Sequence, residues 1–170
     1  MLARSATIIK WVLYALAGLA CAVVQAAVLQ RFTLWGVIPF LYPLIAALPA
    51  TFEGPAAGTV YALACGVFCD LLLPSPIPCF YTLILPLVGL AAGLLSQSLI
   101  PAGYLCSAAA SLPAYLLTGV FHCIVLWATG HAAWTAGLSV TLRELCVSLP
   151  WSLPMAWLFR KVYRRVHIDD

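Results

Sequence analysis

The sequence predicts an all-α fold, a polytopic membrane bundle of six transmembrane helices. Three observations lead there. Of 170 residues, 65% are hydrophobic and only 8% charged, against about a quarter charged in a soluble domain. The apolar residues fill the whole length, so no signal peptide or lone anchor accounts for them. Six of the eight basic residues flank the two ends of the apolar region: Arg4 and Lys10 before it, Arg160, Lys161, Arg164 and Arg165 after it. By the positive-inside rule both termini face the cytoplasm and the number of spans is even. At about 20 to 25 residues per span, a single domain covering 1–170 has room for five or six, and the even count selects six. The runs lack the alternation of barrel strands.

The expected spans are approximately 11–30, 34–51, 54–73, 79–99, 104–128 and 138–159. The first carries a small-residue face, Gly18, Ala22 and Ala26, and ends at Arg31. The second is interrupted by Pro39, Pro43 and Pro49, so it should be short and irregular, with neighbouring groups satisfying its backbone. The third reads Gly54, Gly58, Ala62, Gly66, Asp70 at intervals of four, a groove into which another helix can pack closely. A turn containing Pro74, Pro76 and Pro78 precedes the fourth span, which has its own pair, Gly89 and Gly93. The fifth contains Pro113, Gly119 and His122. A polar loop over 130–137 leads to the sixth, in which Pro150 and Pro154 predict a bend around Trp151. Trp11, Trp35, Tyr104, Trp127, Trp134, Trp157 and Tyr163 fall near span ends, as an aromatic belt requires.

An ionisable group at membrane depth is a functional candidate by default. Asp70 lies 17 residues beyond Glu53, about 25 Å along a helix, and so near the outer face. Arg31, Asp70, His122, Arg143 and Glu144 all fall towards that face and are expected to form an intramembrane polar cluster, with Asp70 paired to Arg31, Arg143 or a buried donor. Glu53 is expected at the cytoplasmic side. The helix-packing residues are Gly54, Gly58, Ala62, Gly66, Gly89 and Gly93. Because the third-span face ends in an acid that lipid would not tolerate, it is assigned to the interior. The face of Gly18, Ala22 and Ala26 is then left for a membrane partner.

Enzyme chemistry finds no constellation. There is no GxSxG, HExxH or P-loop, and His122, His131 and His167 lie in separate segments. Seven cysteines include no CxxC pair; Cys65 and Cys69 share a helix face, but further ligands at matching depth are lacking. No catalytic residue, metal or cofactor is expected. The basic residues suit lipid headgroups rather than nucleic acid.

The third span, GPAAGTVYALACGVFCDLLL, resembles the G-x3-G-x7-G-x3-D pattern of the rod shape-determining protein MreD family, carried here by Gly54, Gly58, Gly66 and Asp70. Pro39 and the final LPWSLPMAWLFRKVYRRV are similar too. One departure follows the acid, where PSPIPCFY carries prolines and the family usually has a glycine. The resemblance implies a non-enzymatic scaffold of the bacterial cell-elongation machinery in the cytoplasmic (inner) membrane. Its partners would be membrane lipid, a bitopic protein of MreC type and, through it, peptidoglycan synthases and MreB filaments. The family also resembles in fold the substrate-binding subunits of energy-coupling-factor transporters. The alternative function is therefore such a subunit for a vitamin.

Overall fold

A computed structural model describes residues 2–74, 77–98, 103–130 and 134–166, with side chains from Thr7 onward. Seven α-helices lie among them: α1 (Leu2–Ala27), α2 (Tyr42–Glu53), α3 (Pro55–Leu72), α4 (Phe80–Ser98), α5 (Tyr104–Ala128), α6 (Trp134–Ser148) and α7 (Ser152–Val166). Four segments are long and apolar enough to cross a membrane: Thr7–Arg31, Pro55–Leu72, Phe80–Ser98 and Tyr104–Ala128. Parts of three sequence-based expectations lie outside the described residues: the turn at Ser75 and Pro76, Leu99 at the end of the fourth span, and residues 131–133 of the polar loop.

The second span differs from its expected bounds. Helix begins at Tyr42 rather than Leu34. Before it, Leu34 and Val37 pair through two backbone hydrogen bonds of 3.0 Å. The turn between them holds Trp35 and Gly36 at positive φ, the backbone of a tight hairpin turn. Pro39 lies in the irregular segment ahead of the helix, and Pro43 lies in the helix's first turn, where a missing N–H is tolerated. At 12 residues α2 is about 18 Å long, too short to span a bilayer alone. Every residue from Leu41 to Thr51 is buried, so α2 is the central post of the bundle rather than a lipid-facing helix.

The sixth span also differs. Helix starts at Trp134, earlier than position 138, and the segment is divided into α6 and α7 by a 3-10 turn at Leu149–Trp151. Pro150 lies in that turn, where its missing N–H and ring interrupt an α-helix.

Around α2, the pair α3 and α4 forms the tightest contact. Gly58 abuts Ala50 of α2, Gly89 abuts Ala62 and the Gly58 carbonyl, and Gly93 abuts Pro55; a Cβ at Gly89 would stand 2.7 Å from that of Ala62. Gly54 joins α2 to α3 at φ +88°, a conformation that side chains with a Cβ rarely adopt. On the other side α5 meets α6 through Gly119, filled by Thr141, and Gly137, whose added Cβ would stand 2.5 Å from the Cys123 sulfur.

The start of α1 and the end of α7 meet at one end of the bundle. Glu53 there pairs with Lys10 and accepts the Tyr14 hydroxyl at 3.0 Å. The rings of Phe52 and Tyr163 lie 5.6 Å apart, and the Arg160 guanidinium sits 5.0 Å above Tyr104. Asp70, His122 and Glu144 belong to the opposite half.

Candidate functional site

Asp70 stands one helical turn beyond Gly66, on the face where α4 crosses α3. A Cβ on Gly66 would lie 2.7 Å from the Tyr81 carbonyl oxygen and 2.8 Å from the Thr82 Cα, so the glycine lets the first turn of α4 come into contact. Asp70 then receives that turn. Its carboxylate accepts the backbone N–H of Tyr81 at 3.0 Å, the N–H of Thr82 at 2.8 Å and the Thr82 hydroxyl at 2.6 Å. The first N–H groups of a helix have no partner within it, and a negative charge there is favoured by the helix dipole. Asp70 thus caps a helix other than its own, and the G-x3-D spacing is the geometry that achieves it.

The expected five-residue polar cluster does not assemble. Asp70 is committed to α4, because backbone donors lie within reach of its short side chain. Arg31 and Arg143 are exposed, as long cationic side chains able to extend away from an apolar body generally are. The only ion pair among the described residues joins Lys10 and Glu53. His122 and Glu144 do come together, as walls of one cavity of about 250 Å³ between α5 and α6. Phe40, Tyr81 and Tyr115 share that wall, and His122 stands edge-on to Phe80 at 5.6 Å.

A second polar arrangement lies on residues that sequence reasoning passed over. The irregular backbone at Pro39–Leu41 is satisfied by three side chains from three helices. Gln25 of α1 donates to the Pro39 carbonyl at 2.6 Å and accepts the Leu41 N–H at 3.1 Å. Ser148, at the end of α6, accepts the Phe40 N–H at 3.0 Å. Tyr115 of α5 donates to the Phe40 carbonyl at 2.6 Å. Gln25, Ser148 and Tyr115 are all buried. The signal available in the sequence was a lone glutamine within an apolar run, opposite a proline-rich segment that needed partners.

The first-span face is corrected in part. Gly18 is buried against this chain's own Tyr61, whose hydroxyl donates to the Tyr14 carbonyl at 3.2 Å. Tyr61 reaches that carbonyl beside Gly18, which has no side chain to obstruct it. Ala22 is buried and Ala26 exposed. Gly18 and Ala22 nevertheless line an open groove of about 530 Å³. Ala15 and Ala22 of α1 face Val60 and Ala64 of α3 across a floor of Tyr42 and Ile45. Ala15, Val60 and Ala64 are exposed, so the groove opens sideways, along the direction lipid would occupy.

Among the described residues no group of three His, Cys, Asp or Glu side chains could hold a metal ion. The fold and these features define a helical protein of membrane type, with four segments capable of crossing a bilayer. No protein-family model, curated protein or solved structure matches the chain.

Proposed function

We propose that this chain is a non-enzymatic scaffold of the bacterial cell-elongation machinery, resident in the cytoplasmic membrane. It would bind a bitopic partner of MreC type and couple it to cell-wall synthases and MreB filaments. In this reading the bundle crosses six times: the extended segment with α2 makes the second crossing, and α6 with α7 the sixth. Both termini are cytoplasmic. Lys10, Arg160, Lys161, Arg164 and Arg165 near the two chain ends support that orientation.

The observation that carries the proposal is the lateral groove between α1 and α3. It is apolar and floored by α2, and Ala15, Gly18, Ala22 and Ala64 leave room between the larger Trp11, Leu19, Val60 and Phe68 for a helix to approach. In lipid, association of helices rests on such close packing. The MreD-like G-x3-G-x7-G-x3-D pattern adds the class of partner, a protein with a single membrane helix.

The test is deletion of the gene in its own host, with purification of the tagged full chain in mild detergent. The scaffold reading expects rounded cells and a co-purifying single-span protein. Cells of normal shape that have lost uptake of a vitamin would contradict it and favour the transporter alternative.

A further inference from the structure

We propose that the cavity between α5 and α6 is a binding site for a small organic cation, an alkylammonium or a related amine. The inference goes beyond the scaffold reading and does not depend on it.

The chemistry of the wall carries it. Among the described lining residues Glu144 is the one carboxylate, and there is no lysine or arginine. The carboxylate has no ion-pair partner in the described chain. Three hydroxyls on the same wall have already given their hydrogens to backbone carbonyls. Tyr115 donates to Phe40 at 2.6 Å, Thr118 to Ala114 at 2.8 Å and Thr141 to Gly137 at 3.1 Å. Those hydrogens are engaged within the protein and are not offered to a guest. Phe40, Tyr81 and Tyr115 add aromatic rings, whose faces attract a cation. A carboxylate, hydroxyls whose hydrogens are engaged and aromatic side chains together favour a cation over a neutral or anionic guest. A space of about 250 Å³ admits a compact amine but not a large cofactor. His122 lies on the same wall.

Calorimetric titration of the full chain in non-ionic detergent at neutral pH tests the site with butylammonium as probe. Its uncharged counterpart 1-butanol and its anionic counterpart butyrate serve as controls. The proposal expects saturable binding of butylammonium only. It expects affinity to fall at least tenfold in Glu144→Gln, and binding to disappear in Val140→Trp, which fills the cavity from its exposed α6 side. Equal binding of amine and alcohol, preference for butyrate, or unchanged amine affinity in Glu144→Gln would each overturn it. If either variant fails to fold, the comparison of the three probes on the wild-type chain decides alone.

Discussion

The carboxylate of Asp70 and the first turn of α4 meet at Thr82, which gives Asp70 both its backbone N–H, at 2.8 Å, and its hydroxyl, at 2.6 Å. This makes the acid at the end of the glycine face a helix cap across a hairpin. Replacing Asp70 with leucine leaves the Tyr81 and Thr82 N–H groups without acceptors in a partly buried place. The expected loss is about 1 to 3 kcal/mol. Asp70→Asn keeps one acceptor oxygen and should lose less. Thermal unfolding in detergent measures both. Equal midpoints for wild type and Asp70→Leu would show that water replaces the cap without cost.

Gly66 serves the same crossing through space rather than charge. Gly66→Ala places a methyl against the backbone of Tyr81 and Thr82, which cannot step aside as a flexible side chain would. The expected destabilisation is about 1 to 3 kcal/mol, typical of overpacking. Gly36→Ala is the control: its surroundings are open, although its positive φ carries a cost of its own, on the order of 1 kcal/mol. Unfolding midpoints should therefore fall further for Gly66→Ala than for Gly36→Ala, and the reverse order would count against a tight α3–α4 crossing.

Gln25 should be the most sensitive polar residue of α1. Gln25→Leu strands the Pro39 carbonyl and the Leu41 N–H, each worth about 1 to 3 kcal/mol when buried and unmade. Gln25→Glu retains the acceptor and loses the donor, so an intermediate effect is expected. Limited proteolysis in the 32–41 segment reads the consequence: cleavage should be faster in Gln25→Leu than in the wild type. Identical cleavage rates would mean that Gln25 does not hold the segment.

The sequence made the third and fourth helices legible because their packing is encoded locally. Gly54, Gly58, Ala62 and Gly66 stand on one face at a fixed interval, and Gly89 and Gly93 offer the complementary one. The proline-rich second span was legible as irregular. Its exact course was not, since Gln25, Ser148 and Tyr115 come from three distant helices and no spacing announces them. The polar residues misled because depth along a helix was readable from sequence while rotation about it was not. Asp70, Arg31 and Arg143 fall towards one half of the chain's depth, yet of the partners expected for Asp70 it is donors on α4 that it finds, while both arginines are exposed. Gly18 misled for a related reason, since a small residue marks a close approach without saying whether the visitor is a partner helix or this chain's own Tyr61.

Orientation is a separate expectation. Reporter fusions at the C-terminus and within 130–137 should report cytoplasm and exterior respectively, as the basic residues at the two ends require. A C-terminus on the outside would remove the six-crossing arrangement and the assignment of Glu144 to the outer half.

On the scaffold reading, the groove between α1 and α3 holds the membrane helix of a bitopic protein. A photo-crosslinking residue placed at Ala64, an exposed groove position, tests it directly in cells. Leu116, exposed on α5, provides the comparison away from the groove. An occupied groove predicts a crosslink from position 64 to one single-span protein and none from position 116. It also predicts loss of a crosslink placed at Val60 when Ala15 and Ala64 are both leucine, because filling the groove removes close packing worth on the order of 1 to 2 kcal/mol. Crosslinks from position 64 to lipid alone, or the same protein captured from both positions, would contradict it.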